Sequence, residues 1–272
     1  KKNSIFSHPN IYAVKFSKLI KKKFPNFKKI VFCNSGTEAV TKALRISFAT
    51  NKKKLIVSVA GSWHGSVSKT LFYPDRNFKP KPISSGIEEN KGKIIFIPYN
   101  DIPNSKKILE RFKNKINCLI IEPVQAGLPT DTIGSYLNFL QSYCKKNKIN
   151  LIFDEIITGF RTLEGSVQKK YKINPEITLL GKVLGGGLPI GVIGINNSIY
   201  KKLKKNKLKV FFGGTFSANS MSSLVGYETL KYLDSNKEIL KNLVAKCHYF
   251  QKKLNDFLIL HNVDARVYRF QS

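Results

Sequence analysis

The sequence predicts an α/β fold built on a mostly parallel sheet. Runs at 151–153 and 177–180 are apolar throughout, which is typical of parallel strands buried on both faces. Longer stretches of helical periodicity separate such runs along the chain. Asp154 follows the first run directly, and Lys182 follows the second after one glycine. Because open α/β sheets bind ligands at the carboxyl ends of their strands, we expect a functional site at this edge of the sheet.

The individual elements follow from the same patterns, in chain order. An amphipathic stretch within 1–29 fits a lead-in helix, and Pro25-Asn26 ends it. Strands are predicted at the short apolar runs, which are 30–33, 55–59, 94–97, 118–121, 151–153, 177–180, 191–194 and 210–212. Helices are predicted where apolar residues recur with helical spacing, at 39–49, 105–113, 133–146, 219–233 and 237–259. Residues 74–93 are polar and rich in proline, which predicts a long loop.

The composition indicates a globular protein with a large excess of positive charge. Of the 272 residues, 42% are hydrophobic, and the formal net charge is +30. The lysines are spread along the whole chain without a nucleic-acid recognition motif or a membrane-spanning run, so we expect a solvated surface, no nucleic-acid partner and no membrane. The widely spaced cysteines favour free thiols in the cytoplasm, and no metal site is expected; they are Cys33, Cys118, Cys144 and Cys247.

The segment 34–38 reads Asn-Ser-Gly-Thr-Glu and joins a predicted strand to a predicted helix. Small residues at a helix start leave backbone N–H groups free to bind an anion, which makes Ser35, Gly36 and Thr37 candidate phosphate ligands. The same residues fit an ordinary capping box, with Ser35 or Thr37 as the cap and Glu38 in the first turn. Both interpretations remain open from the sequence.

Asp154 and Lys182 carry the main functional prediction. Most lysines are solvated surface residues, but Lys182 follows an apolar strand and precedes three glycines, so the backbone can approach a ligand closely. An acid-rich helix start would also explain Asp154 taken alone. Together, an acid and an amine at neighbouring strand ends suit a cofactor with a basic ring nitrogen and an aldehyde, which is pyridoxal 5′-phosphate.

Trp63 and His64 follow the predicted strand at 55–59. An aromatic side chain at a strand end can stack on a flat pyridine ring and hold it in one plane. The alternative for Trp63, the only tryptophan of the chain, is burial in the core. His64 is a candidate hydrogen-bond donor behind the ring, and we assign it no proton-transfer role.

Six motifs occur along the chain in one order. They are Asn34-Ser35-Gly36-Thr37-Glu38-Ala39, Trp63-His64-Gly65, Glu122-Pro123-Val124, Phe153-Asp154-Glu155 with Thr158-Gly159-Phe160-Arg161, Gly181-Lys182 with Gly185-Gly186-Gly187-Leu188-Pro189, and Gly214-Thr215-Phe216-Ser217 with Asn219. In these motifs the sequence resembles the class III (fold-type I) pyridoxal-phosphate aminotransferases, and within them the glutamate-1-semialdehyde 2,1-aminomutases. It departs from that pattern at Trp63, where tyrosine or phenylalanine is usual, and at 126–130, where an aminomutase would have a Gly-Asn-Met-Gly run.

The resemblance implies a three-layer αβα large domain at 1–233, with the lead-in helix at 1–29, and the start of a small α+β domain at 234–272. It also implies a chain truncated at both ends. In such a protein Lys182 binds the cofactor covalently and moves a proton, and Asp154 keeps the ring nitrogen protonated. The other implied contacts are Ser35, Gly36 and Thr37 to the phosphate, Trp63 and Ile156 on the ring faces, His64 behind the ring, Glu122 near the ring hydroxyl, and Thr215 to the cofactor of the partner subunit in a homodimer.

The implied reaction is the amino shift that gives 5-aminolevulinate, and several alternatives remain. Another class III aminotransferase, acting on a different amino donor or on an amino-sugar precursor, would fit the departure at 126–130. A nucleotide-binding dehydrogenase is disfavoured because Gly185-Gly186-Gly187 lacks the G-x-G-x-x-G spacing. A basic polyanion-binding protein without a cofactor would account for the charge, and an inactive truncated relative would account for the length.

Overall fold

A seven-stranded sheet lies at the centre of the computed structural model, which describes residues 10–272. The strands in chain order are β1 (Lys29–Cys33), β2 (Leu55–Val59), β3 (Phe72–Pro74), β4 (Pro80–Pro82), β5 (Ile94–Ile97), β6 (Ile116–Ile121), β7 (Asn150–Asp154), β8 (Ile177–Gly181) and β9 (Gly191–Ile195). The helices are α1 (Ile11–Lys23), α2 (Gly36–Thr50), α3 (Ile102–Phe112), α4 (Gly134–Lys146), α5 (Val167–Lys170), α6 (Asn197–Lys205), α7 (Ser220–Ser235) and α8 (Lys237–Leu260).

The strand order in the large sheet is β1-β9-β8-β7-β6-β2-β5, and β3 and β4 form a separate two-stranded hairpin. Strand β9 runs antiparallel to its neighbours β1 and β8. The remaining neighbours in the sheet, β8-β7, β7-β6, β6-β2 and β2-β5, pair in parallel. The carboxyl ends of β1, β2, β6, β7 and β8 therefore meet at one edge. This arrangement confirms the predicted mostly parallel α/β sheet.

Helices cover both faces of the sheet because its strands are apolar on both sides. Within β6, Ile120 belongs to a core shared with α2, whereas Leu119 and Ile121 belong to a second core shared with α3 and α4. This alternation is what the two-residue repeat of a strand requires. A third cluster joins α1 and α7 around residues such as Phe16 and Leu230.

Buried amides connect α2 to the amino ends of two strands. The hydroxyl of Ser47 contacts Asn117 Oδ1 at 2.6 Å and accepts from Asn150 Nδ2 at 2.8 Å. All three side chains are buried. Because a buried polar group without a partner is costly, this network fixes α2 against β6 and β7.

Most predicted elements are confirmed, including β2 with its predicted bounds, but the predicted strand at 210–212 is wrong. These residues form a loop in which Phe211 is 72% exposed. The hairpin β3–β4 and a 3-10 turn at Glu88–Asn90 lie within or next to the predicted long loop. Of the predicted lead-in helix region, residues 1–9 lie outside the described part. Within residues 10–272, none of the helices combines the length and the apolar character needed to cross a bilayer.

Candidate active site

A cavity of about 330 Å³ opens at the edge where the carboxyl ends of the parallel strands meet. Five strands contribute to it through the residues that follow them, because β1, β2, β6, β7 and β8 all end at this edge. The lining residues are Asn34, Ser35, Gly36, Thr37, Trp63, Gly65, Glu122, Asp154, Ile156, Ile157, Lys182, Leu188, Pro189 and Ile190.

Asp154, the last residue of β7, is buried beside His64. The Oδ2 atom of Asp154 lies 2.8 Å from Nδ1 of His64, and the two side chains are 4% and 1% exposed. Oδ1 of Asp154 accepts a hydrogen bond from the N–H of Ile156 at 3.3 Å. These contacts fix the plane of the carboxylate. Asp154 is therefore a strand-end acid with a partner, and the alternative of an acid in an ordinary helix start is wrong.

His64 supports Asp154 from behind the cavity. It does not line the cavity, and its Nε2 atom is buried without a hydrogen-bond partner among residues 10–272. Because a carboxylate only accepts, Nδ1 carries the proton in this contact. His64 thus contacts the carboxylate rather than the cavity, and its role as a donor behind a bound ring stays a prediction.

The turn 34–37, called the anion turn below, combines both interpretations that the sequence left open. Ser35 is the N-cap of α2, and its Oγ accepts from the N–H of Glu38 at 3.1 Å. Glu38 in turn accepts from the N–H of Asn34 at 2.7 Å, so the turn resembles a capping box whose return bond reaches the residue before the N-cap. Gly36 and Thr37 lie in the first turn of α2, where N–H groups lack partners within the helix, and both line the cavity. The cap thus holds a helix start that can bind an anion.

Trp63 and Ile156 provide apolar walls of the cavity. Trp63 is 53% exposed, so the alternative of a tryptophan buried in the core is wrong. The backbone N–H of Trp63 donates to Oε2 of Glu122 at 2.9 Å. Burial raises the pKa of Glu122; the Trp63 N–H, His64 and Lys182 partly offset this effect, and the Asp154 charge adds to it. Ile156 packs closely against Gly36. A Cβ added at Gly36 would lie only 2.7 Å from Cδ1 of Ile156, so the close packing requires glycine there.

Lys182 begins a 3-10 turn, Lys182–Gly185, directly after β8. Its φ angle is +45°, in the left-handed region, which costs a residue with a side chain about 1–2 kcal/mol. Residues in such conformations cluster at functional sites, where the surrounding structure over-determines them. This backbone places the lysine in the lining of the same cavity as Asp154.

Thr215 neither lines this cavity nor contacts a residue directly behind it in the way that His64 does. It is exposed, on the loop before α7. The other predicted contacts either line the cavity or, in the case of His64, lie directly behind it. A role for Thr215 toward a second subunit therefore stays a prediction.

Two residues that support the cavity were missed by sequence reasoning. Glu155 is fully buried and accepts from the hydroxyl of Thr158 at 2.9 Å and from the N–H groups of Val167 and Gln168 at 2.7 and 3.0 Å. Burial raises the pKa of Glu155, and these donors oppose the effect. It anchors the segment that follows Asp154. The only sequence signal was a second acid beside Asp154.

Gln125, the other missed residue, fixes the segment that leads to Trp63. Its Nε2 donates to the carbonyl of Ala60 at 2.7 Å and to Oγ of Ser62 at 3.0 Å. Gln125 is 3% exposed, so these bonds form in a water-poor environment and hold the loop firmly.

Several solved transaminases share the architecture of this chain. An omega-transaminase from Sphaerobacter thermophilus superimposes with a TM-score of 0.88 at 23% identity, covering 98% of this chain and 63% of that one. A transaminase with PLP bound gives a TM-score of 0.87 at 24% identity, covering 98% and 64%. A glutamate-1-semialdehyde-aminomutase from Pseudomonas aeruginosa PAO1 gives 0.82 at 16% identity, covering 98% and 61%. At these identities the likeness establishes the fold.

The family follows from the sequence comparisons. The profile of the aminotransferase class-III family matches residues 4–267, and the chain belongs to this family. Among curated relatives, the glutamate-1-semialdehyde 2,1-aminomutase of Wigglesworthia glossinidia brevipalpis is 39% identical over 250 residues, which are 89% of this chain and 56% of the relative. The enzyme of the same name from Methanococcus maripaludis is 34% identical, covering 97% and 62%. The chain therefore spans about three-fifths of the length of such relatives.

Proposed function

We propose that this chain forms the cofactor-binding part of a pyridoxal-phosphate-dependent class III enzyme that acts as a glutamate-1-semialdehyde 2,1-aminomutase. One observation carries the proposal: an amine, an acid and a helix start, contributed by Lys182, Asp154 and the anion turn, line one cavity. The substrate is inferred from relatives of that name, which are 33–39% identical to this chain.

The residues present fit pyridoxal phosphate at each of its ends. The free N–H groups at the start of α2 and the hydroxyl of Thr37 suit a phosphate group. Asp154 lines the same cavity as a fixed acceptor, which suits a protonated ring nitrogen. A cavity of about 330 Å³ has the size of a small-molecule site. When bound, the cofactor supplies an electron sink that stabilises negative charge on the substrate carbon.

The chain's own residues then have separate tasks. Lys182 would hold the cofactor through its Nζ, and the same amine would move a proton between substrate carbons. Asp154 would stabilise a proton on the ring nitrogen, because an anion in a dry site interacts strongly with a nearby cation. His64 orients that carboxylate through its Nδ1 contact. Trp63 and Ile156 would provide apolar contacts to the ring, and the buried carboxyl of Glu122, which also lines the cavity, would contact its polar substituents.

The proposal includes the domain boundary, the assembly and the location. We assign residues 1–233 to the large domain and 234–272 to the start of the small domain. We also propose a homodimer in which the exposed Thr215 reaches the partner's cofactor. A cytoplasmic location is supported by free cysteines, of which Cys33, Cys118 and Cys144 are buried.

The cofactor assignment is tested by trapping. The purified protein is mixed with pyridoxal phosphate, reduced with borohydride, digested and mapped by mass spectrometry. We expect a pyridoxyl group on Lys182 and its loss in Lys182→Ala. An unmodified Lys182 in a folded, cofactor-saturated protein would refute the assignment.

A second candidate activity, transamination with another amino donor, rests on the segment 126–130, which departs from the aminomutase pattern. Ala126 and Pro129 line a separate, mostly apolar cavity of about 600 Å³ beside α8. An aminomutase exchanges the amino group within one substrate, so its rate with glutamate semialdehyde needs no added keto acid. Turnover that depends on a keto acid would favour the transaminase.

A further inference from the structure

Lys42 is a charged side chain near the anion turn that the proposed chemistry does not use. It lies in α2, one helical turn after Glu38, and is 3% exposed. Lysine is seldom buried without a partner, because removing the ammonium group from water is costly. The contacts that offset this cost therefore indicate what Lys42 holds in place.

Two contacts connect Lys42 to different parts of the chain. Its Nζ lies 2.5 Å from Oε1 of Glu38, in the favourable order for an acid and a base four residues apart. The same Nζ donates to the carbonyl of Phe212 at 2.8 Å. Since Oε2 of Glu38 accepts from the N–H of Asn34, a continuous line of polar contacts runs from the loop 211–217 through Lys42 to the anion turn.

The loop 211–217 lies close to this turn. A Cβ added at Gly214 would be 3.2 Å from Oε1 of Glu38 and 3.8 Å from Nδ2 of Asn34. Arg45, one turn further along α2, donates to the carbonyl of Phe211 at 2.9 Å. These contacts hold the loop against α2 without regular secondary structure. Thr215 is part of the same loop.

Glu38 is charged in this arrangement. Burial alone would raise its pKa, but the ammonium of Lys42 and the N–H of Asn34 hold the pKa below the usual value. The Lys42 side chain is 4% exposed and that of Glu38 is 28% exposed, so the ammonium is the buried member of the pair. Removing Glu38 would leave that ammonium uncompensated, which is more costly than losing an exposed pair. The pair therefore acts as one unit.

We propose that Lys42 is a positioning residue that fastens the loop 211–217 to the anion turn, and so holds both in the geometry that binds the cofactor phosphate. That the bound anion is the cofactor phosphate rests on the proposed function. The role of Lys42 in holding the loop 211–217 to the anion turn does not. Lys42 does not line the active-site cavity and has no role in the proposed chemistry.

The test compares Lys42→Met with Lys231→Met. Lys231 forms an exposed pair with Glu228 at 3.2 Å, so the control removes the same charge where solvent screens it. Hydrogen exchange is measured on the protein without cofactor, for amides in 34–37 and 211–217, and pyridoxal phosphate affinity is measured by absorbance titration. For Lys42→Met we expect exchange in both segments to be about tenfold faster than in the control. Its affinity should be about tenfold weaker.

The outcomes separate the fastening from the function. Unchanged exchange in 34–37, or faster exchange with unchanged cofactor affinity, overturns the proposal. If the unaltered protein takes up no pyridoxal phosphate, the proposed function fails, and the exchange of 34–37 and 211–217 still decides the fastening. If Lys42→Met does not fold, Glu38→Gln replaces it, because glutamine can still accept from Asn34 but loses the charge that pairs with Lys42. Lys42→Arg keeps the cation, so amides in 34–37 and 211–217 should exchange as slowly in this variant as in the unaltered protein.

Discussion

Replacing Gly65 with alanine tests whether the anion turn must keep its present position. Gly65 has a φ angle of +70°, and a Cβ there would lie 2.4 Å from Oγ1 of Thr37 and 3.3 Å from its Cα. Rotation of the Thr37 side chain can relieve the first contact only by moving the hydroxyl. The second contact is with backbone, so rotation cannot relieve it. The substitution therefore acts on the turn proposed to bind phosphate.

Gly86 gives a matched control that separates the contact from the backbone strain. Its φ angle is +81°, and an added Cβ would meet nothing within 4 Å. Alanine in the left-handed region costs about 1–2 kcal/mol at either position. The reduced entropy of the unfolded chain offsets about 0.4–1 kcal/mol in both variants. Only Gly65→Ala adds the cost of overpacking, about 1–3 kcal/mol.

Thermal unfolding and cofactor titration measure the difference. At about 2–4 °C per kcal/mol for a chain of this size, Gly65→Ala should melt several degrees below Gly86→Ala. Its affinity for pyridoxal phosphate should also be weaker by about tenfold, whereas that of Gly86→Ala should match the unaltered protein. Equal melting temperatures and equal affinities for the two variants would refute the steric reasoning.

Three further substitutions test the acid, the buried network and the pH dependence. Asp154→Ala should lower turnover by at least about a hundredfold while phosphate-dependent cofactor uptake persists; normal turnover would contradict the role of the acid. Ser47→Ala should cost about 1–3 kcal/mol in urea unfolding, against almost no change for the exposed Ser142→Ala, because buried amides lose their partner. Burial raises the pKa of Glu176 above 4.5, more than its hydrogen bond from the N–H of Leu151 lowers it. The folded state thus holds that proton more tightly, and stability falls as pH rises from about 4.5 through the raised pKa. Glu176→Gln should reduce that fall in unfolding experiments between acid and neutral pH, and an unchanged slope would contradict the assignment.

The predicted elements that proved right are those whose burial is visible in the sequence. Strand β2 is apolar along most of its length and fully buried, so its bounds could be read directly. The segment 210–212 looked similar, yet Phe211 is exposed and the segment is held by side chains of α2 instead of a neighbouring strand. A short apolar run does not by itself distinguish a buried strand from a loop, because the residues that it will contact lie far away in the sequence. Helix α6 was missed because lysines dominate it and only Ile199 is buried.

The sequence by itself determined that Asp154 and Lys182 share one edge of the sheet. Parallel strands align their carboxyl ends, so acid and amine become neighbours once the apolar runs are recognised as strands. Only the tertiary structure decided which side chains support them. His64 contacts Asp154 across 90 positions and Lys42 contacts Phe212 across 170, and neither pair shares a local pattern. Hydrogen bonds require distances correct to a few tenths of an ångström, and such distances are set by how whole elements pack, which periodicity in the sequence does not specify.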